Sequence, residues 1–254
     1  MMQVAGGFAF AAAIALLAYR ARTLDASGAV AAVAVGTAIF ATLGWAGAAV
    51  LLSFFVPASA LTRLPHRATQ PVGDHDERRT AAQVSANGAV AALCALGAAA
   101  ISPAFAAGFA GAFAAAAADT WGTEIGVRFG GSPVSILSFR RIARGRSGGV
   151  TAAGTVATVV GALVVAATAS ALHLAAFSSV AIGGVAGALV DSVLGATLQS
   201  ARWCENCRCE CETKRHGCGA LTTLRRGVSW VENDAVNVAA TLAGAAVALA
   251  LRSP

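Results

Sequence analysis

In the stretch AAAAADTWGTEIG, residues 114–126, five alanines run into Asp119 and, five residues later, Glu124. A second oily stretch contains Asp191-Ser192, then Gln199. Aligned, ADTWGTE lies beside VDSVLGA, each with an aspartate followed by a hydroxyl, Thr120 in one and Ser192 in the other. An ionisable side chain inside a bilayer costs several kcal/mol and marks a site or a pathway. Two aspartates at matching depth predict a pair facing one pocket, with Glu124 nearer the mouth. Carboxylates of this kind suit Mg²⁺, which takes one or two of them and fills its remaining positions with water and phosphate oxygens. Asp119, Glu124 and Asp191 are therefore the expected metal ligands and catalytic groups. The structural alternative is that an aspartate pairs with an intramembrane amide, Asn87 or Gln83, and only fixes helix packing.

The densest basic segment, RRIARGRSGGVT, spans residues 140–151. Arg140, Arg141, Arg144 and Arg146 offer guanidinium forks that match phosphate oxygens. Ser147, Gly148 and Gly149 let backbone approach a phosphate, and Thr151 opens a helix whose free N–H groups and dipole favour an anion. A plain anchor for anionic lipid headgroups is the bland alternative. There is no G-x-x-x-x-G-K and Lys214 is the chain's sole lysine, which excludes a P-loop ATPase. Similar starts occur at Ser27-Gly28 and Asn87-Gly88, each near the head of a helix leaving the same face. Asn233, Asp234 and Asn237, beside Trp230 where the last helix begins, are read as lining the same pocket. Carboxylates beneath a rim of arginines and helix N-termini predict a metal–nucleotide site.

Five of six cysteines fall within fifteen residues, in the pattern Cys204-x-x-Cys207-x-Cys209-x-Cys211-x4-His216-x-Cys218. On a reducing face such crowding argues for metal rather than disulfides. Cys204, Cys207, His216 and Cys218 would form the closed Cys3His tetrahedron of a structural zinc, organising a cytoplasmic loop over 200–230. Cys209 and Cys211 remain rival ligands, and Cys94, alone in a helix, is read as packing.

The elements that must position these residues are membrane helices. The chain is 57% hydrophobic and 12% charged, against about 25% charged in a soluble domain. Apolar spans fall at 3–19, 28–43, 46–62, 81–100, 104–126, 151–172, 178–200 and 234–251. The first lacks a basic n-region and is read as a retained helix. Residues 28–62 form one apolar run of 35 residues. As a single helix it would be roughly 50 Å long, too long for a hydrocarbon core of about 30 Å, so Gly44-Trp45-Ala46-Gly47 is read as a tight turn. With eight spans, 17 of the 18 basic residues, including Arg63, Arg67, Arg78 and Arg79, fall on one face and only Arg252 opposite. Seven spans scatter them over both faces. The positive-inside rule makes the rich face cytoplasmic and puts both termini outside. The prediction is one all-α polytopic membrane bundle over 1–254, of about eight spans. The basic excess of +6 is absorbed by topology, so composition gives no case for nucleic acid. His66 and His75 are read as solvated, and His173 as lying at the outer face.

The stretches LDASGAVAAVAVGTAIF, QVSANGAVAAL, AAADTWGTEIG, RSGGVTAAGT, DSVLGATLQ, CENC with HGCG, and WVENDAVN, in that order over residues 24–240, resemble an integral membrane family known as domain of unknown function 92. That family includes animal transmembrane protein 19 and the plant phytyl-phosphate kinase of the vitamin E pathway. The resemblance implies a phosphotransferase of the cell inner membrane that moves phosphate from a nucleotide, CTP by analogy with phytol and dolichol kinases, to an isoprenoid monophosphate. It carries site roles to Asp119, Thr120, Glu124, Asp191, Ser192, Asn233 and Asp234. Cys209 and Cys211 depart from the family's simpler two-pair pattern. The alternatives are a lipid cytidylyltransferase or polyprenol kinase with the same Mg²⁺ carboxylates, and an ion-coupled transporter.

Overall fold

A computed structural model describes residues 2–63 and 78–252; Arg67, His66 and His75 lie outside them. Among the described residues seven helices follow in order: α1 (Met2–Arg20), α2 (Ala26–Thr62), α3 (Ala81–Ala100), α4 (Phe105–Phe129), α5 (Ala152–Ala171), α6 (Phe177–Thr197) and α7 (Asn233–Ala250). Six of them are long and apolar enough to cross a membrane; α4, which carries Asp119, Glu124 and Arg128, is the exception among the described residues. Three helices begin where a side chain caps free N–H groups. The Asp25 carboxylate accepts from the Gly28 N–H, Thr80 and Gln83 form a reciprocal capping box, and Thr151 accepts from the Gly154 N–H. The Gly28 N–H, then the Ser27 hydroxyl, hold the Asp25 carboxyl below its usual range.

Gly44 breaks α2. Its φ of 58° and ψ of −144° lie where a side chain is strained. Beyond it the chain folds back. The Arg79 carbonyl accepts from the Asp25 N–H at the start of α2, and the Arg79 guanidinium lies 5.9 Å from the Phe54 ring. On a straight helix residues 28 and 54 would be about 39 Å apart. The rings of Phe40 and Trp45, 4.8 Å apart, close the bend with Phe10. The seven helices thus make eight arms, 26–43 and 45–62 being the two halves of α2, and the break is a single residue rather than a four-residue turn. Gln3 lies beside Gly44, and Arg252 beside Pro103 and His173, so both ends of the described chain lie at one end of the bundle. The basic loops lie at the other.

α4 is the centre of the bundle. Residues 106–118 are all buried, and all are Ala, Gly or Phe. Large aliphatics such as Leu17, Val30, Leu93, Val156, Ile182 and Leu242 face outward. Small residues inside and large ones outside is how helices pack closely in lipid, where association rests on backbone approach rather than on water exclusion. A close crossing lies at Gly187 of α6, where an added Cβ would come within 2.4 Å of the Ala115 Cβ on α4 and 2.6 Å of the Ala240 carbonyl oxygen on α7. Gly187→Ala is expected to destabilise the bundle by about 1–3 kcal/mol, whereas Gly6→Ala, facing open space, is neutral. Thermal unfolding in detergent reads the difference, and equal melting of the two variants would contradict this packing.

The loops at the basic end hold strands that an all-helical reading omits. β1 (Val134–Ser135) pairs antiparallel with β2 (Gly149–Val150), and β3 (Ala201–Cys204) lies between β4 (Cys209–Cys211) and β5 (Thr223–Arg226). Strands of two to four residues are too short to show a period-two pattern. Helix ends also shift: α4 runs on to Phe129, and α6 stops at Thr197, leaving Gln199 and Ser200 buried outside it.

Candidate functional site

The Gly187–Ala115 crossing positions the acids. α4 and α6 run parallel, and one helical turn onward from the crossing, at i+4 on each helix, come Asp119 and Asp191. Their carboxyls face each other within hydrogen-bonding reach. Asp191 Oδ2 is buried without a partner. Asp119 also feels the charge of Glu124, and Asp191 that of Glu212. Thr120 and Ser192, next along each helix, are half-buried. The amide alternative has a different outcome: Asn87 Nδ2 donates to the Gln83 carbonyl of its own helix at 3.0 Å, and both residues line an apolar groove with Arg79. Glu124 is ion-paired with Arg128, whose other nitrogen donates to the Thr62 carbonyl at 3.2 Å.

One more turn along α6, Gly195 meets the basic loop, with the Ser147 Cβ 3.3 Å from where its own Cβ would lie. The Ser147 hydroxyl hydrogen-bonds to Glu212, and Arg146 Nη2 lies 3.4 Å from Glu210. Gly148, at φ +79°, is required by packing, since a Cβ there would fall 2.4–2.7 Å from Ala196. Gly149 N–H closes a turn onto the Arg146 carbonyl, and the Thr151 hydroxyl serves its own helix as cap. Arg140, Arg141 and Arg144 are exposed, with Arg144 Nε donating to the Gly131 carbonyl at 2.7 Å. At the head of α7, Asn233 is exposed, Asp234 half-buried and Asn237 buried, the Asn237 carbonyl accepting the Thr241 hydroxyl at 3.0 Å.

The structure therefore gathers Asp119, Asp191, Glu124, Arg146 and Ser147, and adds residues that sequence reasoning missed. Glu210 lies in β4 and Glu212 just beyond it, and a three-residue strand is too short for their alternation with Cys209 and Cys211 to have marked them. Arg226 donates to the Ala196 and Gly195 carbonyls at the end of α6, where a cation complements the helix dipole. Arg226 Nε and Gln199 Nε2 are buried donors without protein partners. Both lie at the end of α6, one to two turns beyond Asp191.

The cysteine loop brings Cys204, Cys207, His216 and Cys218 together, one ligand atom from each within 4.8 Å of the others. The Cys204 and Cys218 sulfurs are 3.6 Å apart, close to the roughly 3.7 Å edge of a tetrahedron with metal–sulfur bonds of about 2.3 Å. Cys209 Sγ lies 3.6 Å from His216 Nε2, while Cys211 is buried with its sulfur toward the Thr213 carbonyl. The Ala220 backbone N–H, then His216, hold the Cys218 thiol down to about 6, while hydrogen bonding to Cys218 pushes Cys207 up to about 12. One thiolate forms readily and the next is opposed, which is the demand a divalent cation relieves. Cys94 is buried in α3 against the Gly108 position, as packing requires.

Comparison with known proteins gives a consistent picture. The family model described as integral membrane protein DUF92 matches residues 9–245. Protein PGR of Arabidopsis thaliana is 31% identical over 231 residues, covering 75% of this chain and 77% of its own. An uncharacterized membrane protein of Synechocystis sp. is 28% identical over 86% of this chain and 79% of its own length. Protein VTE6, chloroplastic, of Arabidopsis thaliana is 26% identical over 90% of this chain and 65% of its own. No solved structure gives a significant match.

Proposed function

The chain belongs to the DUF92 family of integral membrane proteins, and from that premise we propose that it is a membrane-embedded kinase transferring a phosphoryl group from a nucleoside triphosphate, CTP, to an isoprenoid monophosphate. The observation that carries this reading is the contact of Asp119 with Asp191, with one buried oxygen unpartnered, where the close packing of α4 ends. Two carboxylates side by side in a low-dielectric site call for a cation between them or a shared proton. Asp119 and Asp191 would hold Mg²⁺ with Glu124 behind them; the ion supplies neutralisation of charge on the transferring phosphoryl oxygens. The arginine-rich end would be cytoplasmic by the positive-inside rule, in the cell inner membrane, with both termini on the other side.

The protein's own share is alignment and charge. Arg146, Ser147 and the Gly148–Gly149 turn would border the triphosphate, with Arg226 and Gln199 supplying further donors and Arg140, Arg141 and Arg144 forming an outer rim. Thr120, Ser192, Asn87, Asn233, Asp234 and Asn237 complete the proposed polar lining. An oxygen of the acceptor phosphate forms the new bond to the γ-phosphorus while the bond to CDP breaks. The acceptor's second pKa is about 6, so it is largely ionised and needs no strong base; an alcohol acceptor would need one, and Asp119 or Glu124 would then serve. We also place Zn²⁺ on Cys204, Cys207, His216 and Cys218, where it would fix the ribbon that presents Glu210 and Glu212 to the basic loop.

Purified protein given labelled CTP and phytyl monophosphate tests the reading. The expected products are the lipid diphosphate and CDP. Release of diphosphate instead would indicate a cytidylyltransferase, phosphorylation of the free alcohol alone a polyprenol kinase, and neither reaction would turn attention to ion-coupled transport.

A further inference from the structure

An apolar groove with a cavity volume of roughly 80 Å³ runs between α1, both arms of α2 and α3. Ile14, Ala32, Val35 and Leu51 are among its walls, and Arg79, Gln83 and Asn87 make it polar toward the basic loops. Its lining on α1 runs from Phe10 to Ala18, about 12 Å along the helix, close to the roughly 15 Å of one hydrocarbon leaflet.

Arg79 is fixed at the polar end by its backbone. Its N–H donates to the Thr23 carbonyl at 2.9 Å and its carbonyl accepts from the Asp25 N–H at 3.1 Å. The guanidinium lies 5.9 Å from the Phe54 ring, at the groove's edge, and feels the Glu124 carboxylate. Glu124 in turn acts on Asp119. A cation thus stands where the apolar walls end and the acidic group begins.

Resting on the kinase reading for the fate of the head group, we propose that this groove holds the tail of a single-chain isoprenyl phosphate and that Arg79 binds its phosphate head, turning it toward Glu124 and the aspartate pair. Charge decides the occupant's head, because a guanidinium bordered by hydrocarbon walls is matched by an anion. The narrow apolar space between the helix arms, roughly 80 Å³, decides its tail, since it suits one hydrocarbon chain better than the two of a membrane phospholipid.

The test is photo-crosslinking with a diazirine-bearing phytyl monophosphate on the full chain in nanodiscs, with peptide mapping. Labels should fall on α1, α2 and α3, be competed by phytyl monophosphate, and resist both phosphatidate and inorganic phosphate. Ala32→Phe, which fills the groove away from the acids, should lower labelling at least tenfold. Arg79→Gln should raise KM for the lipid about tenfold or more with a smaller change in kcat, and Arg79→Lys should recover part of it. Labels on α5–α7, equal competition by phosphatidate, or undiminished labelling of a folded Ala32→Phe would overturn the assignment. If Ala32→Phe does not fold, the label map of the natural sequence decides alone. Groove labelling without phosphoryl transfer from any nucleotide would sink the kinase reading and leave the groove standing, whereas turnover with labels elsewhere would do the reverse.

Discussion

Asp119→Asn and Asp191→Asn each lower phosphoryl transfer by about a hundredfold or more, the usual cost of losing a charge contact made in the transition state, while both proteins still insert and melt as a folded bundle. An amide keeps the size of the carboxyl, so the Gly187–Ala115 crossing that brings the two residues together is undisturbed. What is removed is negative charge at the place where Asp191 Oδ2 has no protein partner. Because both residues would serve one ion, the double variant should lose little more than either single, the signature of groups acting as a unit. Initial rates in nanodiscs, with melting curves as the folding control, measure this. Activity within about threefold of the natural protein in either single variant would remove the metal role.

The second large effect is expected at a distance from the acids. Protein purified without chelator should carry one zinc per chain, and Cys204→Ser or Cys218→Ser should empty the site, whereas Cys94→Ser keeps it. Structural zinc contributes an apparent ~10–16 kcal/mol at neutral pH, far more than a three-stranded ribbon of eleven strand residues gains by itself. Opening the ribbon would release Glu210 from Arg146 and Glu212 from Ser147. Turnover should therefore fall with zinc content even though no cysteine lies in the acidic pair. Metal analysis beside activity decides it. Zinc lost from Cys209→Ser but kept in Cys204→Ser would reverse the choice of ligands, and full activity in zinc-free protein would detach the ribbon from the site.

Much of the bundle is legible because its signals are local. Gly44 announces itself by sitting inside an apolar run too long for one crossing, and the basic residues report which ends lie together. Asp119 and Asp191 stand out because a carboxylate is costly in an oily helix, and their matching hydroxyl neighbours suggest matching depth. Other features depend on contacts distant in sequence. Gly148 lies against Ala196, a packing demand that its place in a basic, glycine-containing loop does not announce. Glu212 joins Ser147 across 65 residues, and Arg79 reaches the groove by pairing with the α1–α2 connection. Neither leaves a trace in composition or periodicity.

The central claim is that Asp119 and Asp191 share one divalent cation at the nucleotide. Mn²⁺ titration followed by electron paramagnetic resonance, in nanodiscs with CDP present, addresses it without requiring turnover. One nucleotide-dependent Mn²⁺ site per chain is expected in the natural sequence, and weakening by at least tenfold in both Asp119→Asn and Asp191→Asn. Equal Mn²⁺ binding in all three proteins would contradict the claim.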